Sequence, residues 1–225
     1  MIQALFQEKL QVLNIGLPSF VDSIRKADGS VLQIEWVPPA QGDPEIGRAL
    51  ARLVNLLSVE TANRTAFDAY QSAQPVLSGV GIARKTLPNM GERMILHGGP
   101  PIHWKDMCGP MKGAIVGAIL YEGWAENLAE AETMASSGDI AFEPCHHHNA
   151  VGPMAGIISP SMPVWMVTNT TNGDQAFCNF NEGLGKALRF GANGPDVITR
   201  LKWMGQILAP TLRAGVEILG GVELK

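Results

Sequence analysis

The sequence predicts an α/β or α+β fold, and three observations carry that expectation. Strand-like and helix-like patterns alternate through residues 1–88. Residues 89–225 are richer in glycine and proline, mix short strands with helices, and close on helical stretches. Composition frames both parts: of 225 residues, 46% are hydrophobic and 17% charged, a globular balance.

In the first part, Leu5, Phe6, Leu10 and Leu13 lie at helical spacing over residues 1–12. Asn14–Pro18 reads as a turn, with Pro18 opening a helix to about Lys26. Asp28-Gly29 then leads into residues 31–37, where Leu32, Ile34 and Trp36 alternate with Gln33 and Glu35 as in a half-buried strand. Asp43 is a helix cap, Pro44 suits the first helical position, and Glu45 places a carboxylate in the first turn. That helix should reach about Leu57, and a second should cover residues 60–73. Pro75–Ile82 reads as a buried strand. Gly79 and Gly81 do not extend to a dinucleotide fingerprint, because position 84 is Arg and Pro88 interrupts any following helix.

A soft boundary at residues 84–92 separates this part from the second. There, residues 93–97 form a short strand and Pro110 opens an apolar helix in which Gly113, Gly117 and Ala118 permit close packing. Residues 126–137 form a surface helix stopped by Gly138. Strands follow at 157–158 and 164–168, with Asn172-Gly173 as a hairpin turn. Residues 179–191 begin as a loop and become helical. Asn193–Asp196 caps a helix to about Leu208, and Pro210 opens the last one. Met107, Met111, Trp124, Met154, Trp165 and Trp203 read as core.

Several function classes are disfavoured. A net charge of −4 argues against a nucleic-acid binder. No apolar run approaches the ~20 residues of a membrane span, and the first residues lack the order of a signal peptide. Three distant cysteines, Cys108, Cys145 and Cys178, form no disulfide framework. The expectation is a cytoplasmic protein with reduced thiols.

The chemistry concentrates in Glu143-Pro-Cys-His-His-His-Asn-Ala-Val-Gly-Pro-Met-Ala-Gly156, with His97 and His103 in a second Gly/Pro-rich stretch. Imidazoles in shaped loops suit hydrogen bonding and acid–base work on a small polar substrate. His146, His147, His148, His97 and Glu143 are therefore the catalytic candidates. Other readings stay open: Cys145 as a nucleophile, histidines that merely pin loop backbone, or a metal held by alternate residues of an extended segment, from Cys145, His146 and His148. No Cys-x-x-Cys or His-Glu-x-x-His set completes a metal site, so no cofactor is expected, with room left for a divalent ion.

Anion binding has its own candidates. Gly109, Lys112 and Gly113 stand at the start of the apolar helix, where unpaired N–H groups attract negative charge. Asn181, Lys186 and Arg189 lie beside glycines that let a ligand approach backbone. Ala187 occupies the place where a phosphate-binding Walker loop needs Ser or Thr. Glu122 and Glu182, in apolar or glycine-rich settings, require partners.

The motifs Leu96-His-Gly-Gly-Pro-Pro-Ile-His-Trp104, Met107-Cys-Gly-Pro-Met-Lys-Gly113, Leu120-Tyr-Glu-Gly-Trp124, Phe142-Glu-Pro-Cys-His-His-His148, Gly152-Pro-Met-Ala-Gly156, Ser159-Pro-Ser-Met-Pro163 and Asn181-Glu-Gly-Leu-Gly-Lys186 with Arg189-Phe-Gly191 carry a resemblance. Over essentially its whole length the chain resembles the YlbE-like bacterial family, long described as a domain of unknown function. The resemblance implies a subunit of the oxamate carbamoyltransferase of allantoin (purine) breakdown, which interconverts oxalurate plus phosphate with oxamate plus carbamoyl phosphate. It also implies partner subunits, one of them CoA-ligase-like, and no nucleic acid or membrane partner. Lys112, Lys186 and Arg189 would hold phosphate and carboxylate, and one of His146–His148 or His97 would polarise the carbamoyl carbonyl. Family members continue further, so the chain is expected to be their N-terminal portion, and activity is expected of the assembly more than of this portion alone. Two other classes fit the residues: a non-catalytic assembly partner, and a metal-dependent enzyme on a small carboxylate or amide.

Overall fold

A computed structural model describes residues 11–183 and 185–225. The chain divides into two units, Met1–Tyr70 and Gln71–Lys225.

In the first unit, β1 (Gln11–Ile15), α1 (Ser19–Lys26) and β2 (Ser30–Ile34) form a βαβ element whose strands run parallel, from Gln11 beside Ser30 to Ile15 beside Ile34. Asn14 Nδ2 donates to Gln33 Oε1 at 2.5 Å, fixing the register across the pair. The helix expected over residues 1–12 lies mostly outside the described residues, and from Gln11 the chain is already strand, so the turn expected at Asn14 comes later. α2 (Pro44–Val54) begins as its cap dictates: Asp43 Oδ1 accepts from the N–H groups of Glu45 and Ile46 at 2.8 and 3.0 Å. α3 (Leu57–Ser72) starts earlier than expected and carries the chain toward the second unit.

A two-stranded ribbon has no second layer to cover both faces. Val21 is the one described residue of this unit that is fully buried. The half-buried strand expected over residues 31–37 is accordingly corrected. It stops at Ile34, and Leu32 and Trp36 are 64% and 65% exposed.

The second unit opens with β3 (Pro75–Ile82), followed by the short α4 (Ala83–Thr86). A Cβ on Gly81 would run into the Thr86 hydroxyl, so this glycine of β3 makes room for a side chain of α4. β4 (Met94–His97) leads to α5 (Gly109–Glu122), closed by Gly123 in the left-handed region at φ 70°. α6 (Leu128–Ser137) is capped by Asn127, which accepts from Glu130 N at 3.0 Å, and ends at left-handed Gly138. Then come β5 (Ala141–Pro144), a 3₁₀ turn at Cys145–His148, β6 (Ala150–Val151), β7 (Ile157–Ile158), β8 (Pro163–Asn169) and β9 (Gln175–Asn179). α7 (Pro195–Trp203) runs through a π-helical turn at Met204–Leu208 into α8 (Ala209–Leu219), and β10 (Val222–Glu223) completes the order. Among the described residues of 180–191 the regular structure is a 3₁₀ turn, Leu188–Phe190, where a helix was expected to grow.

Two sheets organise this unit. One has the order β10-β3-β8-β9-β6 and is antiparallel except for the β6–β9 pair; the other has the order β5-β4-β7. β4 lies at the centre of the small sheet, parallel to β5 and antiparallel to β7. Its successive side chains enter different cores, as strand alternation requires. Ile95 packs with α5, through Met111, Ala114, Ile115 and Ile119. Leu96 packs with Val164 and Phe177 of the larger sheet, together with Cys145 and Ile158. Met107 and Met111 are core as expected, whereas Met154 and Trp203 are 88% and 50% exposed and belong to neither buried cluster. No helix among the described residues is long and apolar enough to cross a membrane.

Candidate functional site

The two Gly/Pro-rich stretches singled out in the sequence meet in space. Gly98 N donates to Gly156 O at 2.9 Å, and a Cβ on Gly98 would lie 2.5 Å from the Pro153 carbonyl. A glycine is therefore required for this contact. It sets the end of β4, with His97, against the loop that follows the histidine turn.

Residues 145–148 are not extended. In the 3₁₀ turn, His148 is buried while His146 and His147 are exposed, so alternate residues do not share a face as the metal reading required. Among the described residues no three His, Cys, Asp or Glu side chains converge to hold a metal ion. His148 has both ring nitrogens engaged, Nδ1 with Pro88 O at 2.7 Å and Nε2 with Glu143 Oε2 at 2.9 Å. His147 Nδ1 stands 3.9 Å from the same carboxylate oxygen, and its ring meets His146 edge-on at 4.7 Å.

His97 is the opposite case. It is fully buried, and neither ring nitrogen has a hydrogen-bond partner. Burial first, then the electrostatic influence of His146, lowers its pKa from the ordinary 6.5. The ring is thus held neutral, with one N–H to give and one lone pair to take. A Cβ on Gly99 would lie 3.5 Å from His97 Nδ1 and 2.9 Å from Met111 Cε, which places the imidazole beside the first turn of α5.

Cys145 is 2% exposed, and burial together with nearby Cys178 pushes its thiol up to about 12. Such a thiol carries no appreciable thiolate at neutral pH, which removes the physical basis of the nucleophile reading.

The start of α5 faces a cleft of about 740 Å³ whose lining includes Trp104, Gly109, Lys112, Gly113, Thr133 and Asn193. Cys108 caps the helix without a side-chain bond to its N–H groups. Lys112 Nζ donates to Lys105 O at 3.0 Å and lies 5.6 Å from the centre of the Trp104 ring. Trp104 in turn stacks on Phe142 at 6.2 Å, so this cleft adjoins the strand that bears Glu143. Asn181 and Lys186 are exposed, and Arg189 sits in the 3₁₀ turn packed on α5. The two glutamates find partners: Glu122 Oε1 accepts from Ser159 Oγ and Ser161 N, and Glu182 Oε1 accepts from Leu188 N.

Sequence reasoning passed over Asn179, which is 5% exposed and whose Oδ1 would lie 3.3 Å from a Cβ on Gly152. The signal was a polar residue in register with Phe177 on the inward face of β9. Asn193 was missed as a cleft residue because its approach to α5 is a long-range contact, 80 residues along the chain from Gly113.

Residues 140–225 match the family described as oxamate carbamoyltransferase subunit AllG. The chain is 48% identical, over 169 residues, to the oxamate carbamoyltransferase subunit AllG of Escherichia coli strain K12. Through this stretch the chain is similar to the AllG family. That alignment covers 74% of the chain and 40% of the relative. An uncharacterized protein of the same organism, YahG, is 42% identical across 100% of the chain, which spans 48% of it. The chain thus spans less than half the length of both relatives. A crystal structure of a conserved protein of unknown function from Enterococcus faecalis V583 superposes with a TM-score of 0.72 at 46% identity, covering 74% of this chain and 40% of that one. The stretch matched to the AllG family holds the histidine turn, Asn179 and the Lys186–Arg189 loop.

Proposed function

We propose that this chain takes part in carbamoyl transfer between carbamoyl phosphate and oxamate, as one subunit of a cytoplasmic, multi-subunit enzyme of allantoin breakdown. The observation that carries the reading is that the AllG-matched stretch, residues 140–225, contains the histidine turn that sits beside the unpaired His97.

The reaction asks for little covalent work from the protein. The amide nitrogen of oxamate attacks the carbamoyl carbon, an N–C bond forms, and the C–O bond to phosphate breaks. One amide proton leaves the nitrogen and phosphate departs. Charge grows on the carbamoyl oxygen on the way, where a positioned donor is worth most. His146, exposed on the turn, presents an imidazole to substrate, and neutral His97 behind it has the lone pair to accept a proton. Lys112 and the uncapped start of α5 supply positive charge for the carboxylate of oxamate. His148 and Glu143 act as a positioning pair, since both nitrogens of that ring are already engaged.

The test is carbamoyl transfer assayed with the partner subunits present. His97→Gln and His146→Gln should each lower kcat/KM by about 10²- to 10⁴-fold with the fold intact. Full activity in both variants would sink the catalytic role and leave a non-catalytic assembly partner as the reading.

A further inference from the structure

We propose that Arg189 and Arg200, with Lys186, form a binding site for a small oxyanion, a phosphate or carboxylate group, on the loop that precedes α7. The proposal takes the identity of the anion from the function proposed above, but not the existence of the site.

Two guanidinium groups from separate elements reach one loop. Arg189, in the 3₁₀ turn, donates from Nη2 to Gly183 O at 2.9 Å. Arg200, in α7, donates from Nη2 to Lys186 O at 2.6 Å. Each guanidinium has five N–H donors in a planar fork, so these bonds leave most of them unassigned. The Nε of each is shielded from solvent and has no partner.

The charges are as unanswered as the donors. Among the described residues the only ion pairs are those of Glu143 with His147 and His148; neither arginine has a carboxylate within pairing distance. Glu182 is close along the chain, but its Oε1 is spent on Leu188 N at 2.6 Å, where it fixes the 3₁₀ turn. Asp196 lies one helical turn before Arg200 and forms no ion pair with it. Lys186, exposed, adds a third cation on the same loop. Shielded guanidinium N–H groups without a counter-charge are costly, and an oxyanion that offers two oxygens side by side, as carboxylate and phosphate both do, is the partner their fork geometry fits.

The two described glycines of the loop are open around their Cα atoms. Gly183 and Gly185 take φ of 86° and 88°, a conformation that favours glycine, and a Cβ on either would meet nothing within 4 Å. The Phe190 ring lies under the Arg189 guanidinium at 4.7 Å, holding its plane. This locus is distinct from the Lys112 cleft, whose lining contains neither arginine. Arg200 carried no signal in the sequence, because it stands in a helix with ordinary surface spacing.

The experiment is calorimetric titration of the chain with inorganic phosphate and, separately, with oxamate at low ionic strength. Saturable binding of at least one is expected, and the anion that binds identifies whether the site takes phosphate or carboxylate. Arg189→Gln and Arg200→Gln should each weaken binding by about tenfold or more. Lys186→Gln, an exposed change that spares the fold, should weaken it by about threefold. No binding of either anion overturns the site, as does a loss confined to Lys112→Gln. Intact anion binding in a chain that supports no carbamoyl transfer would refute the function above and leave this site standing. Transfer that proceeds with no binding here would do the reverse.

Discussion

His148 Nε2 lies 2.9 Å from Glu143 Oε2 while its Nδ1 lies 2.7 Å from the carbonyl of Pro88. Neither a carboxylate nor a carbonyl oxygen donates, so both bonds are made when the ring carries a proton on each nitrogen. The ring then ties the histidine turn to β5 and to the segment after α4. This is the strut that holds His146 and His147 outward.

Replacing His148 by Ala removes a buried ring and leaves the Pro88 carbonyl and the Glu143 carboxylate, both on residues open to solvent, without their donor. The expected loss is about 1–2 kcal/mol of unfolding free energy. Glu143→Gln should cost about 1 kcal/mol or less, because that side chain is 41% exposed and an amide can still accept. Urea denaturation of both variants checks the pair. A His148→Ala midpoint equal to that of the wild type would show that the strut holds nothing.

The local signals were legible. Asp43-Pro44 placed a helix start, Pro75–Ile82 a strand, and Gly138 the end of α6. Contacts between distant segments were not. β5 is four residues long and ends in a proline, so its parallel pairing with β4 leaves no periodic trace. A four-residue turn such as Cys145–His148 is too short for spacing to separate 3₁₀ from extended backbone. The candidate histidines could be named, but which was locked, which exposed and which buried without a partner depended on Pro88, 60 residues away, and on how the folded loops turn Glu143 and Gly99 toward the rings.

His97 should show itself in the pH dependence of stability. Its folded pKa lies below 6.5, by burial and then by His146, so the unfolded chain binds the proton more readily. Stability is therefore fully present above pH 6.5 and falls as pH drops below it, until the folded pKa is reached. Over that window the group makes stability rise with pH, with about 1.4 kcal/mol per pH unit as the one-proton ceiling. His97→Gln should flatten the slope, whatever it does to stability at neutral pH. An unchanged slope in denaturation curves across that range would contradict the buried neutral ring.

Thiol labelling separates the three cysteines, all of them unpaired. Exposed Cys108 should react with iodoacetamide at neutral pH. Cys145, buried and with its thiol pushed up to about 12, should stay unlabelled until the protein is unfolded. Mass spectrometry of the labelled, digested protein reads both. Rapid native-state labelling at Cys145 would restore it as a nucleophile candidate.

Two helix glycines should answer the same substitution with opposite signs. A Cβ on Gly113 in α5 would run into the carbonyl of Gly191, and Gly191 is itself confined, since its own Cβ would lie 2.8 Å from Pro110 Cα. The neighbour is backbone on both counts and cannot rotate away. Asn193 Nδ2 also donates to Gly113 O at 3.1 Å, locking the same approach. Gly113→Ala gains about 1 kcal/mol of helix preference but forces the two segments apart at about 1–3 kcal/mol, and the loss of close packing should win. Gly215 in α8 has nothing within 4 Å of its added Cβ, so Gly215→Ala should stabilise by about 0.5–1 kcal/mol. Thermal melts of the two variants test this. A stabilised Gly113→Ala would mean that the 188–191 turn is not seated on α5, and with it the position of Arg189 would have to be redrawn.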